Sequence, residues 1–162
     1  MLVVRDAELD ALDRIARGSS TLSAVVTIVA PPGAGKTTVL RSVVSAVDPD
    51  TRVLRAAPTV AETGLAHAGL GDLLGGLDLD ALAGHLGEVQ RAALDAALLR
   101  APAPEGVAVD ARSVGGAVVG VLERLASIQP VLIAIDDVHW LDRESAAALV
   151  FALPPPPSRG VT

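Results

Sequence analysis

The nine residues Ala30-Pro-Pro-Gly-Ala-Gly-Lys-Thr-Thr38 constrain this chain more than any other stretch, because of what flanks them. Before them, Val25-Val-Thr-Ile-Val-Ala30 is a β-branched apolar run that reads as a strand buried on both faces. After them, Val39, Leu40, Val43, Val44 and Val47 fall on one face of a helix. A glycine-rich turn between a strand and a helix lets successive backbone N–H groups converge on phosphate oxygens, and the helix adds the positive end of its dipole. Pro32, Gly33, Ala34, Gly35, Lys36, Thr37 and Thr38 are therefore the candidate nucleotide-binding residues. Gly33 and Gly35 allow the close approach. Lys36, the only lysine in the chain, can reach the β- and γ-phosphates as a point charge, and Thr37 can give its hydroxyl to Mg²⁺. The pattern departs from G-x-x-x-x-G-K-[ST] at its first position, where Ala30 replaces glycine. Alanine is tolerable there unless the backbone needs positive φ. The alternative is a glycine-rich turn with a solvated lysine.

A second anchor is Pro130-Val-Leu-Ile-Ala-Ile-Asp-Asp137, five apolar residues ending in two carboxylates. A buried parallel strand carrying acid at its C-terminal edge has this form. Alone, it would be an ordinary strand followed by a turn. Paired with the Lys36-Thr37 loop, Asp136 is expected to order the Mg²⁺ water shell, and Asp137 to position or deprotonate an attacking water. Lys36 and Asp137 are thus the catalytic candidates, and Thr37 and Asp136 the metal candidates.

The chain of 162 residues is long enough for one domain or part of one, and 51% apolar residues suffice for a core. Aromatic residues are nearly absent, so that core must be built from Ala, Val and Leu. A net charge of −6 leaves no electrostatic footprint for nucleic acid or an anionic membrane, so any DNA contact is expected from another segment. With no cysteine, disulfides and thiolate metal sites are excluded. The start lacks the apolar core of a signal peptide, and no apolar run reaches the length of a membrane span, which makes a cytoplasmic protein the expectation.

Along the chain, Asp6 can cap a helix to about Arg17, which Gly18-Ser-Ser breaks. Asp48-Pro-Asp50 is a turn, and Arg52-Val-Leu-Arg-Ala56 a short second strand. Glycine-punctuated, leucine-rich segments run from Thr63 to about Arg100, with Leu86, Val89, Ala93, Leu94 and Ala97 as the clearest helical face. After the loop Ala101-Pro-Ala-Pro-Glu-Gly106, Val114, Val118, Val121, Leu122 and Leu125 line one side of another helix. Asp142 is the expected N-cap of a last helix, Ser145 through Leu153, which stops at Pro154-Pro-Pro-Pro157.

Together with these anchors, Asp136-Asp-Val-His-Trp-Leu-Asp142 followed by Ser145-Ala, and Leu65-Ala-His-Ala-Gly-Leu-Gly-Asp-Leu-Leu74, resemble the ATPase module of the large ATP-binding LuxR-type transcriptional regulators. These are members of the STAND branch of AAA-like P-loop ATPases. The resemblance runs from Arg5-Asp-Ala-Glu-Leu9 to about Leu153. It implies an α/β fold, a three-layer P-loop NTPase sandwich around a parallel sheet, with ATP and Mg²⁺ as cofactors. It also implies an adenine contact near Arg5, although Val4 stands where the family has glycine. Relatives continue into a further core strand with a polar sensor residue, where this chain has four prolines, and proline cannot donate to a ladder. The expected organisation is thus a partial AAA-like P-loop ATPase domain over residues 1–153, truncated after the acidic strand and its following helix, and a proline-rich disordered tail over 154–162. The missing strand would leave a gap in the sheet, whose unpaired edges favour self-association. The implied function is an ATP-dependent switch with weak hydrolysis. Two alternatives stand beside it: a relic or interaction fragment that binds no nucleotide, and a piece of an ABC-type ATPase. The last would read Ser113-Val-Gly-Gly116 as a signature loop, where a helix start with two glycines explains the same residues.

Overall fold

A computed structural model describes residues 25–153. The elements follow in the order α1 (Lys36–Ala46), β1 (Arg52–Ala56), a 3-10 turn at Val60–Glu62, α2 (Ala68–Leu74), α3 (Leu79–Leu82), α4 (Glu88–Ala97), α5 (Ala111–Ala126), β2 (Val131–Ile135), a 3-10 turn at Val138–Trp140, and α6 (Arg143–Ala152). The helix expected near Asp6 and the proline tail lie outside the described residues.

β1 and β2 pair in parallel, in register from Arg52 opposite Val131 to Ala56 opposite Ile135. Parallel partners share a face, so Leu54, Ala56, Val131, Ile133 and Ile135 point the same way. That face joins one apolar cluster with Leu70, Leu73, Leu74, Ala93, Leu94, Ala97, Val114, Val118, Val121 and Leu125. The aliphatic core expected from the composition is what the chain builds.

Two expectations need correction. Val25–Ala30 is not a strand; it runs as irregular chain with Val26 43% and Val29 84% exposed. The described sheet has only two strands, and β2 is half-buried except at Ala134 rather than sandwiched on both faces. One physical cause fits both. A parallel strand is held by ladder bonds to neighbours, and in the expected sheet a further strand would stand between Val25–Ala30 and β2. Among the described residues no such strand is present, and Val25–Ala30 pairs with none. Among the described residues the main apolar cluster lies on one side of the sheet, and the fold is α/β and parallel.

The helices follow their sequence signals more closely. Asp110 caps α5, its carboxylate accepting from the Ser113 N–H at 2.8 Å and the Arg112 N–H at 3.1 Å. Ser113 Oγ accepts in return from the Asp110 N–H at 3.1 Å. Ser113-Val-Gly-Gly116 is therefore a helix start, as its plainer reading holds. On α5, Val114, Val118, Val121 and Leu125 are buried as their spacing predicts. On α4 the face is narrower than expected: Ala93, Leu94 and Ala97 are buried, Leu86 precedes the helix, and Val89 is exposed.

α5 packs closely on α6, and Gly115 permits it: a Cβ there would stand 2.9 Å from Phe151 Cβ. Gly115→Val is expected to lower stability by about 1–3 kcal/mol despite its gain in backbone entropy, checked by urea unfolding. An unchanged midpoint would show that Phe151 swings aside freely.

Candidate nucleotide-binding site

The loop after Ala30 has a backbone that glycine makes accessible. Gly33 has φ 78° and Gly35 φ 85°, left-handed values that L side chains avoid. Ala34 N–H donates to the Pro31 carbonyl at 3.2 Å, closing a turn, and Val39 N–H donates to the Gly35 carbonyl at 3.0 Å, starting α1. No side chain caps α1. A helix start leaves its first N–H groups without intrahelical partners, and after a glycine-rich loop these are donors available to an anion. Pro32 has no N–H, so its part in such a cradle is to shape the chain.

Lys36 folds back over the loop, its Nζ donating to the carbonyls of Ala30 at 3.1 Å and Pro31 at 3.3 Å. An ammonium lodged on neutral carbonyls at the loop mouth can transfer to phosphate oxygens at little cost in desolvation. Thr37 is half-buried and Thr38 exposed, while Val39 is the buried residue of α1.

At the far end of β2, Asp136 N–H donates to the Ala56 carbonyl at 3.0 Å, continuing the ladder one residue past the strand. Asp136 is half-buried and Asp137 exposed. Asp137 sits at φ 45° and ψ 47°, a left-handed position for a residue with a side chain, and its N–H donates to Asp136 Oδ1 at 3.1 Å. The 3-10 turn then presents His139 and Trp140 as a tilted ring pair with centroids 4.6 Å apart.

The structure brings together the loop residues with Lys36, and separately the two acids at the end of β2. Among the described residues no hydrogen bond or ion pair joins Lys36 or Thr37 to Asp136 or Asp137. Arg5 lies outside the described residues. Also among the described residues, no cluster of three or more His, Asp or Glu side chains could hold a metal by itself. The donor set still fits Mg²⁺. That ion keeps several waters and takes one or two protein oxygens beside the phosphates of a nucleotide, and Thr37 and Asp136 are oxygen donors of that kind.

A third group joins Asp142 and Ser145 to the start of α2. Asp142 is 2% exposed and Ser145 fully buried. Asp142 Oδ1 accepts from the His67 N–H at 2.8 Å and from the Ser145 N–H at 2.8 Å, and Oδ2 from the Gly69 N–H at 3.0 Å. Ser145 Oγ accepts from the Leu70 N–H at 2.9 Å. Burial pushes the Asp142 carboxyl up, but hydrogen bonds from Ser145, Gly69 and His67 outweigh it and hold the group below the ordinary aspartate value. As a helix cap Asp142 was legible; as the ligand of α2 it was not, because its partners lie 75 and 73 residues away.

A glycine-rich loop opening a helix, with a parallel strand that ends in two aspartates, defines a P-loop nucleotide-binding module of the α/β class. The chain belongs to the AAA ATPase domain family, whose model matches residues 1–161. No curated protein and no solved structure matches it. Among the described residues no helix is long and apolar enough to cross a membrane.

Proposed function

We propose that this chain is the ATP- and Mg²⁺-binding regulatory module of a LuxR-type bacterial transcriptional regulator of the STAND branch. It works in the cytoplasm as a switch whose nucleotide state biases a conformation that another domain reports. The observation that carries this reading is the uncapped start of α1, directly after Gly33 and Gly35 in left-handed conformations and with Lys36 folded over the loop mouth. In this reading Pro32 to Thr38 surround the phosphates. Lys36 contributes charge, Thr37 and Asp136 hold Mg²⁺, Asp137 positions water, and Arg5 lies near the adenine. Bound Mg²⁺ would supply charge neutralisation between the phosphates.

Isothermal titration with ATP and Mg²⁺ tests this directly. Lys36→Ala is expected to weaken binding by about 1.5–3 kcal/mol, the range for hydrogen bonds to charged groups. Thr37→Ala is expected to lose mainly the Mg²⁺-dependent part of the affinity, since its hydroxyl serves the metal. Equal loss with and without Mg²⁺ would remove that role from Thr37, and no heat with the wild-type chain would remove the nucleotide reading altogether.

One observation favours a second reading, a fragment that binds partners and no nucleotide. Val25–Ala30 is not bonded into the sheet, so the loop is anchored firmly only on its helical side. The same titration decides between the two.

A further inference from the structure

We infer that Asp142 is a positioning residue, through which the segment from His67 to Leu70 sets the placement of Asp137. The inference rests on the nucleotide reading only for its catalytic consequence. The two acids after β2 are held differently. Asp136 still belongs to the ladder through its bond to the Ala56 carbonyl. Asp137 has left the ladder and stands in the left-handed region, uncommon for a residue with a side chain though tolerated by aspartate, so its placement depends on its surroundings.

Those surroundings lie on its C-terminal side. The Trp140 N–H donates to the Asp137 carbonyl at 2.9 Å and the Leu141 N–H to the Val138 carbonyl at 3.1 Å, so the turn is a short rigid link from Asp137 to Asp142. Asp142 is fixed by three backbone donors, two of them at the start of α2. Gly69 brings α2 that close: a Cβ on it would overlap Leu141 Cδ1 and stand 3.4 Å from Ser145 Cβ. His67, which supplies one donor, is itself left-handed at φ 62°. Asp137 therefore hangs between an anchored strand and a buried carboxylate, and only the second anchor restrains it without passing through Asp136.

Asp142→Asn separates this role from general structure. An asparagine carbonyl oxygen can keep the two bonds that Oδ1 accepts, from His67 and Ser145. Its NH₂ would then face the Gly69 N–H, donor against donor. Of the two bonds that tie Asp142 to the start of α2, the one from Gly69 is lost, while the one from His67 and the cap of α6 remain. Trp140, the only tryptophan of the chain, lies within the link and reports on it.

In the full chain without nucleotide, Asp142→Asn is expected to raise acrylamide quenching of Trp140 at least twofold, with far-ultraviolet circular dichroism unchanged at the same temperature. With Mg·ATP, single-turnover hydrolysis is expected to fall at least tenfold while the dissociation constant changes less than threefold, because Lys36 and Thr37 lie outside the link and the Asp136 backbone stays bonded to the Ala56 carbonyl. The double variant with Asp137→Ala should be no slower than Asp137→Ala alone. Unchanged quenching, or equal losses in affinity and rate, would overturn the inference. Should Asp142→Asn not fold, Gly69→Ala, which pushes Leu141 aside and leaves Asp142 intact, must give the same rise in quenching or the inference fails. If the wild-type chain takes up no Mg·ATP, the nucleotide reading falls and the quenching measurement alone decides the link.

Discussion

Replacing Asp142 by alanine is expected to lower the stability of the chain by about 3 kcal/mol or more, a large fraction of what holds a single domain folded. Alanine removes a carboxylate that satisfies the N–H groups of His67, Gly69 and Ser145 in a position only 2% exposed. Leaving one buried donor unpaired costs about 1–3 kcal/mol, and a single domain has only about 5–15 kcal/mol in total. Chemical unfolding followed by circular dichroism measures the loss; a drop under about 1 kcal/mol would mean that water replaces the carboxylate. The same residue gives stability a pH dependence. Its folded-state carboxyl titrates below the ordinary aspartate value of about 3.9 that it has when unfolded. Its contribution is therefore complete above that value and is lost as pH falls through the lower folded value. In Asp142→Asn that part of the acid limb should be missing.

The elements that could be read in advance are those whose causes are local. Asp110 and Asp142 cap helices within three residues of themselves, and both caps form. The apolar stripe of α5 depends only on the helical period, and its residues are buried where the period puts them. Val25–Ala30 fails for a non-local reason. Its β-branched composition favours a strand, but a strand exists only with a neighbour, and composition does not provide one. Val89 fails at the edge of a stripe, where one helical position decides between core and solvent. The site divides along the same line. The loop and the acids are contiguous motifs, so each was legible, with Gly33 and Gly35 adopting the backbone that their lack of a side chain permits. The bonds from α2 to Asp142 join residues more than seventy positions apart and leave no periodic trace in the sequence.

Hydrolysis of bound ATP by this chain is expected to be slow, well below about 1 s⁻¹ in a single turnover. In the proposed reading Lys36, Thr37 and Asp136 hold the nucleotide and its metal and stabilise part of the charge on a transferring phosphoryl group. Two further contributions are weak. Asp137 is exposed, and its side chain is one methylene shorter than a glutamate would be, while an attacking water must be placed in line to within a fraction of an ångström. An arginine at the transferring phosphoryl group is worth about 10³ to 10⁵ in rate. Among the described residues the arginine nearest in sequence to the acidic pair is Arg143, which opens α6 with its side chain exposed. A second copy could supply such a group in trans, and hydrolysis would then rise more steeply than linearly with protein concentration. Measured at a concentration where the chain is monomeric, with Asp137→Ala as comparator, the wild-type rate should exceed the variant by no more than about the 10²- to 10⁴-fold that a positioned base contributes. A wild-type rate above about 1 s⁻¹, within the ordinary enzyme range, would show that Asp137 and the loop complete the chemistry without an arginine from elsewhere.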